Sequence, residues 1–555
     1  MKRWRTHFVF ALIMLFAAAL LSRLVFLQVI SHGFYKALAQ GQQQLSSLAK
    51  GERGDVFLQD KNGGLYTLAT NQDASFVFAS PLEIEKKEET AAALSEMLGL
   101  AQEEIFKKLQ KESLYEILKK RISPQEEDMV KQRNISGVYM GKERVRVYPQ
   151  GDLASHTIGF TNQEGEGQYG IEEYYNALLA GQEGVQNTAK NPASYLLRAF
   201  EDTRRDGSDI VLTIDYNIQS MAESLLKKAT ENLTIEGGTI IVLDPSSGRI
   251  LALANVPDFN PNEYSEVQDL SIFQNAAIQK LYEPGSVFKP ITMAAAIDEK
   301  KVTPDTTYED KGVAQIGGRK IYNYDQRVWG ERTMTEVLEY SINTGAVFAE
   351  QQLGHEKFLQ YIKQFGIFEP TNIDLAGEVF SENKEFQKGY EINFATASFG
   401  QGIQITSLQF VRAFSAIANN GIATEPFLVE KRTRNDELAS IISPRTASQL
   451  TAMLASVVEN GFGKAARIPG YYIAGKTGTA EVSWSALGIS KSGYSDKTIQ
   501  SFIGYAPAFD PKFLILVKLD NPQTKTAEYS AIPLFRELAQ YIIDYLAIPP
   551  DYEVE

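Results

Sequence analysis

From Phe8 to Ile30 the chain is almost unbroken in apolar side chains, and no other feature restricts its fold so severely. A helix rises about 1.5 Å per residue, so roughly twenty apolar residues cross a hydrocarbon layer of about 30 Å with every backbone amide paired internally. Lys2, Arg3 and Arg5 precede the run, and the bias of basic residues toward the cytoplasmic side puts the N-terminus inside. Residues 1–7 are then a cytoplasmic tail, 8–30 an anchor, and the bulk of the chain is extracytoplasmic. Ala17-Ala18-Ala19 offers a processing site for a cleaved signal peptide, but the apolar run resumes from Leu24 to Ile30, which favours an uncleaved, single-pass anchor. Arg23 and Gln28 interrupt its second half, and Arg23 has the length to snorkel to the outer interface.

The chain beyond the anchor is long enough for several domains. Of 555 residues, 44% are hydrophobic and 22% charged, the balance of ordinary folded proteins. A formal net charge of -14 without a long basic run argues against a nucleic-acid partner. The absence of cysteine excludes thiol catalysis, disulfide staples and cysteine-ligated metal. His7, His32, His156 and His355 are scattered, with no His-Glu-x-x-His arrangement, so a zinc hydrolase is not expected and no cofactor is called for. The same shortage argues against a Ser-His-Asp triad. A serine enzyme here needs lysine as its base.

A Gln-rich connection, Gln40 to Gln44, leads to Arg53-Gly54-Asp55, a short strand and a hairpin turn at Asp60-Lys61-Asn62-Gly63. From Pro81 to Asn134 the pattern predicts charged, amphipathic helices, with Leu94, Met97 and Leu98 on one face and Leu109, Tyr115 and Leu118 continuing it. Val145 to Tyr148 reads as a strand, and Gly167 to Gly184 as a helix. Polar, turn-rich Asn187 to Gly207 marks a domain boundary. Beyond it come an edge strand at Val211–Ile214, a helix at Asn217–Asn232, and a hairpin of Thr239–Leu243 with Ile250–Ala254. Helices follow at Met334–Tyr340, Thr344–Gln352, Ser407–Ala418 and Arg445–Val458. Strands at Tyr471–Ala474, Ser501–Tyr505 and Phe513–Leu519 and a helix at Ala531–Leu546 close the chain. Helices enclosed between strand groups predict an α+β domain on an antiparallel sheet.

Within that domain, Glu283-Pro284-Gly285-Ser286-Val287-Phe288-Lys289-Pro290 carries a turn signal into a buried, Ala-rich helix. Residues three apart share a helix face, so Lys289 can reach Ser286 as base to nucleophile. Pro290 disfavours helical geometry at Lys289 and predicts local strain there. Ser-x-x-Lys is common by chance, but here it is followed in order by Ser341-x-Asn343 and by Lys476-Thr477-Gly478, expected at a helix start, an interhelical loop and a strand end. The trio is the motif set of serine β-lactamases and penicillin-binding proteins.

With these motifs the chain resembles a class B penicillin-binding protein, a membrane-anchored peptidoglycan D,D-transpeptidase, over nearly its whole length. Outside the trio the resemblance rests on Leu27-Gln28-Val29, Arg53-Gly54 with the turn at Asp60–Gly63, and Arg146-Val147-Tyr148-Pro149 with Ile158-Gly159-Phe160. It continues through Gly170-Ile171-Glu172, Leu212-Thr213-Ile214-Asp215, Ser398-Phe399-Gly400-Gln401-Gly402, Thr406 and Asn419-Asn420-Gly421. Val287 stands where threonine is frequent, Lys61 where arginine is usual, and Ile342 at a variable position; no catalytic group is lost. Ser501-Phe502-Ile503-Gly504-Tyr505-Ala506-Pro507 looks more like division-type members than elongation-type ones.

The resemblance implies an α+β multidomain protein: the anchor, an elongated α/β pedestal of the dimerisation type over 31–205, a transpeptidase domain over 206–548 with a central antiparallel sheet flanked by helices, and a tail at 549–555. It implies that Ser286 attacks the carbonyl between two terminal D-alanines of a stem peptide and passes the acyl group to an amine of a neighbouring stem. Lys289 must lose its proton to serve as base, through burial or a nearby cation such as Lys476. Lys476, Thr477, Gly478 and Thr479 bind substrate, Ser341 relays a proton to the leaving amine, Asn343 orients Lys289, and the N–H groups of Ser286 and Thr479 form the oxyanion hole. Trp484 and Tyr494, between Glu481 and Thr498, are candidates for the acceptor side. Expected partners are β-lactams, the cytoplasmic (inner) membrane, a SEDS-type glycan polymerase and, if division-type, divisome proteins. A D,D-carboxypeptidase or β-lactamase-like hydrolase, and a non-catalytic scaffold or activator of a glycan polymerase, are the alternatives.

Overall fold

The computed structural model describes residues 3–30, 49–184, 205–430 and 440–554. The connection at Gln40–Gln44 and the boundary stretch through residue 204 lie outside the described residues. The N-terminal run forms a helix over Arg3–Val25 that continues as a π-helical turn over Phe26–Ile30. Its His7–Gln28 stretch is long and apolar enough to cross a membrane.

The chain divides into two compact units that interleave along the sequence. One comprises residues 1–53, 71–147 and 180–207, the other 54–70, 148–179 and 208–555. Residues 54–70 and 148–179 of the 31–205 stretch therefore cluster with the C-terminal unit.

In the first unit, helices Lys87–Leu98, Gln102–Leu109 and Pro124–Arg133 bury Leu94, Leu98, Ile105, Leu109 and Val130 against strands. The third starts at a capping box, in which the Ser123 hydroxyl accepts from Glu126 N–H and the Glu126 carboxylate accepts from Ser123 N–H. Tyr115 and Leu118 do not continue the helical theme. Residues Glu116–Ile122 form a strand antiparallel to the end of Leu65–Ala79, and buried Leu118 and Ile122 face the helices. A helix-like spacing of apolar residues is misleading in so short a run, since β-branched and aromatic residues also pack on sheets. The strand read at Val145–Tyr148 is the end of a longer one, Val138–Val147.

The second unit is built on five antiparallel strands: β1 (Gly237–Leu243), β2 (Ile250–Val256), β3 (Ala474–Ser483), β4 (Tyr494–Ala506) and β5 (Phe513–Asp520). Their spatial order is β2-β1-β5-β4-β3, so β3 is an edge strand. Alternate residues of β1 and β5 enter different cores: Ile241, Leu243, Leu514 and Leu516 on one face, Ile240, Val242, Ile515 and Val517 on the other. Helices Tyr216–Leu233 and Ala531–Leu546 cover the second face. On the first lie α1 (Lys289–Asp298), with α2 (Met334–Glu339) and α3 (Asn343–Leu353) beside it, and helices Ser407–Ala418 and Pro444–Glu459. A sheet buried on both faces explains why its central strands read as continuous apolar runs. Val211–Ile214 lies in a strand, Ile210–Asp215, that pairs parallel with Val56–Gln59 and not with this sheet.

Two further expectations are corrected. Gly167 to Gly184 is not one helix but two short ones, Gly170–Tyr174 and Asn176–Leu179, flanked by two-residue strands. Gly170 holds φ +52, and a Cβ there would lie 2.4 Å from Thr157 O, so the glycine serves a close backbone approach. The strand carrying Lys476-Thr477-Gly478 begins at Ala474 and runs to Ser483, so the tripeptide lies inside it and not at its end.

Candidate active site

The position of Ser286 begins with Gly285, at φ +62, whose N–H donates to Gly400 O at 3.0 Å. Gly400 is itself at φ +81, and a Cβ on it would lie 2.2 Å from Gly285 O. Two glycines let these backbones meet. Tyr282 and Ile405 exchange both backbone hydrogen bonds, at 2.9 and 3.0 Å, so the approach to the turn is fixed on the same loop. Residues Gly285–Phe288 then form a 3₁₀ turn, with Val287 and Phe288 fully buried and Ser286 half-buried.

Lys289 opens α1 in relaxed helical geometry, φ -51 and ψ -36, which corrects the expected strain before Pro290. The reason lies in the first turn. Ser286 O accepts from Lys289 N–H in the 3₁₀ turn, and a proline there removes no helix hydrogen bond that another donor does not replace.

Lys289 Nζ lies 2.9 Å from Ser286 Oγ, 2.6 Å from Ser341 O, 2.8 Å from Asn343 Oδ1 and 3.1 Å from Ser341 Oγ. Two of these partners, the carbonyl of Ser341 and the amide oxygen of Asn343, can only accept. A neutral amine has two N–H groups for them and one lone pair left over. That lone pair faces hydroxyls. Asn343 Nδ2 donates to Tyr322 O at 3.1 Å, which keeps Oδ1 turned toward Lys289. Ser341 adopts φ +55 in the turn between α2 and α3, so that both its carbonyl and its hydroxyl reach the lysine.

Lys476 approaches from β3, its Nζ 2.9 Å from Ser341 Oγ and 3.1 Å from Thr477 O, with Thr477 Oγ1 at 3.3 Å. Both lysines are essentially inaccessible, at 1% and 0% exposure, and among the described residues neither forms an ion pair. Burial holds Lys289 well below the ordinary ammonium range, and the charge of Lys476 acts in the same direction. Burial pushes Lys476 down to about 7.

The edge strand is set close against the turn. A Cβ on Gly478 would lie 2.7 Å from Ser501 Oγ and 2.9 Å from Val287 Cγ1, and one on Gly285 would lie 2.8 Å from the Ala480 Cβ. Thr479 comes next, paired in register with Gln500, and its hydroxyl accepts from Ala527 N–H at 3.4 Å. As an edge strand, β3 leaves alternate backbone groups free of a sheet partner on the side of the turn. Of the aromatic candidates, Tyr494 donates to Glu283 Oε2 at 2.9 Å, and Trp484 is covered by Lys491 Nζ 4.3 Å from its ring centroid.

The structure brings Ser286, Lys289, Ser341, Asn343 and Lys476 into one hydrogen-bonded chain, with Thr477, Gly478 and Thr479 along its wall. Sequence reasoning missed what supports Asn343. Buried Asp310 accepts from Gly312 N–H, Asn323 Nδ2, Trp329 N–H and Thr344 Oγ1, while Asn323 Oδ1 accepts from Thr344 N–H, pinning the start of α3. Asp310 ends one of four short strands between 307 and 333, and Gly312, Asn323 and Trp329 lie in the connections between them, in a stretch with no periodic apolar signal. Asp310 two residues before Gly312 was the one available cue, as an Asx turn.

A half-buried serine hydrogen-bonded to a buried lysine, with no histidine beside them among the described residues, defines a serine enzyme of the acyl-transfer kind. Residues 238–540 match the family described as penicillin binding protein transpeptidase domain, and residues 49–212 the penicillin-binding protein dimerisation domain. Stage V sporulation protein D of Bacillus subtilis is 32% identical over 529 residues, 90% of this chain and 80% of that protein. The probable peptidoglycan D,D-transpeptidase PbpC of Pseudomonas aeruginosa is 31% identical, over 99% of this chain and 96% of its own length. Among solved structures, penicillin binding protein 3 of Mycobacterium tuberculosis in its apo form aligns with a TM-score of 0.69 at 25% identity, covering 91% of this chain and 98% of that one. The same protein has been solved with aztreonam. The chain belongs to the class B penicillin-binding proteins and is a serine-type transpeptidase.

Proposed function

We propose that the chain is a peptidoglycan D,D-transpeptidase that cross-links stem peptides through an ester on Ser286. The observation that carries this reading is the Lys289 amine within hydrogen-bond reach of Ser286, buried and beside a second lysine. Neutral Lys289 takes the proton of Ser286 as Oγ bonds to the carbonyl carbon of the penultimate D-alanine. The oxyanion forms between the N–H groups of Ser286 and Thr479. The C–N bond then breaks, and the proton on Lys289 passes through the Ser341 hydroxyl to the departing D-alanine amine. An acceptor amine next attacks the ester, giving up its proton along the same path, so that a new amide forms and Ser286 recovers its hydroxyl. Lys476, with Thr477 and Thr479, holds the donor's terminal carboxylate, and Gly478 lets β3 approach the turn.

β-Lactams acylate the same serine, a role supported by the trio of motifs and by the aztreonam complex of the mycobacterial relative. The finer assignment is septal cross-linking, supported by the pattern at Ser501–Pro507. With it go a SEDS-type polymerase, divisome partners, an inside N-terminus on the cytoplasmic membrane, and the division into an anchor at 8–30, a pedestal at 31–205 and a transpeptidase domain at 206–548.

Labelling with a fluorescent penicillin tests the chemistry: wild type is tagged covalently and Ser286→Ala is not. A folded wild type that stays unlabelled across a panel of β-lactams would overturn the reading. Supplied with lipid-linked glycan strands, the enzyme is expected to yield dimeric cross-linked peptides; trimmed monomers alone would make it a hydrolase.

A further inference from the structure

Glu283 lies three residues before Ser286 and has no role in the acyl transfer. Its carboxylate is half-buried, accepts from the Tyr494 hydroxyl at 2.9 Å, has the backbone N–H of Gly402 nearby, and among the described residues has no cationic partner. The cation of the neighbouring loop, Lys491, is spent on the Trp484 ring. A carboxylate partly withdrawn from water, hydrogen-bonded in its charged form and left without a counter-charge, is prepared for a cation from outside the chain.

Its place along the cleft says which cation. The turn and β3 run past each other in opposite directions, with Val287 beside Gly478 and Gly285 beside Ala480. Glu283 therefore falls beyond Ala480, at the end of β3 where Ser483 pairs with Tyr494. A donor peptide with its carboxylate at Lys476 and Thr477 and its scissile carbonyl at Ser286 and Thr479 must continue toward Ala480 and Glu481. An extended chain advances about 3.3 Å per residue, so the residue before the two D-alanines comes alongside Glu283. The reaction supplies a cation for that position. The acceptor is another copy of the same stem, so every donor stem also carries an amine.

We infer that Glu283, oriented by Tyr494, is a specificity residue of the donor site that takes the side-chain ammonium of the stem residue preceding the two D-alanines. The inference rests on the transpeptidase reading and deepens it.

The test compares two donors, Nα-acetyl-L-lysyl-D-alanyl-D-alanine, with a free ε-ammonium, and its Nα,Nε-diacetyl form, by the rate of acyl-enzyme formation on the full-length protein. Wild type is expected to prefer the free amine about tenfold. Glu283→Gln should bring the ratio near one, and Tyr494→Phe, which keeps the charge and loses its orienting donor, should give an intermediate ratio. Penicillin labelling of each variant reports folding. Equal rates for the two donors in wild type, or a preference that survives Glu283→Gln, would overturn the inference while leaving the transpeptidase reading intact. So would a Glu283→Gln defect confined to transfer onto an amine acceptor, which would place the carboxylate on the acceptor side. Failure of both donors to acylate Ser286 in wild type would overturn both.

Discussion

Lys289 and Lys476 reach the same atom, Ser341 Oγ, at 3.1 and 2.9 Å. A hydroxyl has one proton to give and two lone pairs. Two ammonium groups could both donate to it, but two buried like charges disfavour each other, and the cheaper state leaves one amine neutral. With Lys289 neutral, Ser286, Lys289, Ser341 and Lys476 form a continuous path for a proton. Lys476 then has two effects at once, lowering the proton affinity of Lys289 and offering the positive end of the path.

Lys289→Met removes the base while filling the same buried volume. Acylation by a fluorescent penicillin is expected to slow by about 10²–10⁴, the usual weight of a positioned base. The melting temperature should be equal to or above that of wild type, since a buried amine without a counter-charge is replaced by an apolar chain. Near-normal acylation would assign the base elsewhere.

Acylation should rise with pH as Lys289 loses its proton and level off well below the ordinary lysine value of 10.5. Lys476→Met removes the neighbouring charge, so Lys289 holds its proton more tightly and the rising limb moves to higher pH. An unmoved limb would show that the two lysines are not coupled.

The same variant has a signed effect on stability. Lys476 is held to about 7 in the folded state against an ordinary 10.5 when unfolded. Between those values the unfolded chain binds the proton that the folded one has released, so this group makes stability rise with pH through that window and is most unfavourable below about 7. Lys476→Met is therefore expected to stabilise the protein more at pH 6 than at pH 10, as read from paired denaturant titrations. A pH-independent difference would contradict it.

Asn343→Asp keeps the shape but puts a carboxylate against Lys289 and removes the donor to Tyr322 O. The carboxylate favours the ammonium form, so acylation at neutral pH should fall more than in Asn343→Ala and recover in part as pH rises. Equal pH profiles for the two variants would count against Asn343 acting on the state of Lys289.

Gly478→Ala drives a methyl to within 2.9 Å of Val287 Cγ1 and 2.7 Å of Ser501 Oγ. Overpacking of this kind costs about 1–3 kcal/mol. Because it separates β3 from the turn bearing Ser286, acylation should fall by more than the loss of stability explains. Ile542→Val, in the core on the other face of the sheet, is the comparison: it costs about 0.5–1.5 kcal/mol and should leave acylation near that of wild type.

Much of this fold is legible in the order of residues. The helices Ser407–Ala418 and Ala531–Leu546 have the bounds that apolar spacing predicts, because their buried faces recur at helical period over enough residues to be unambiguous. Short segments are less readable. Tyr115 and Leu118 fit a helix or a strand equally well until a neighbouring strand claims Leu118, and the glycines at 167 and 170 punctuate a run whose interior changes type twice.

Local order along the chain is enough for the apolar run at the N-terminus, the turn that leads to Ser286, and the spacing that lets Lys289 reach it, since each depends on residues within one helical turn or one continuous stretch. Tertiary structure alone decided the state of that lysine. Ser341, Asn343 and Lys476 are 52, 54 and 187 positions away along the chain from Lys289, yet only their convergence in the buried interior strips the amine of hydration and sets a second charge beside it. Burial and the approach of distant charges are properties of packing, which no local pattern encodes.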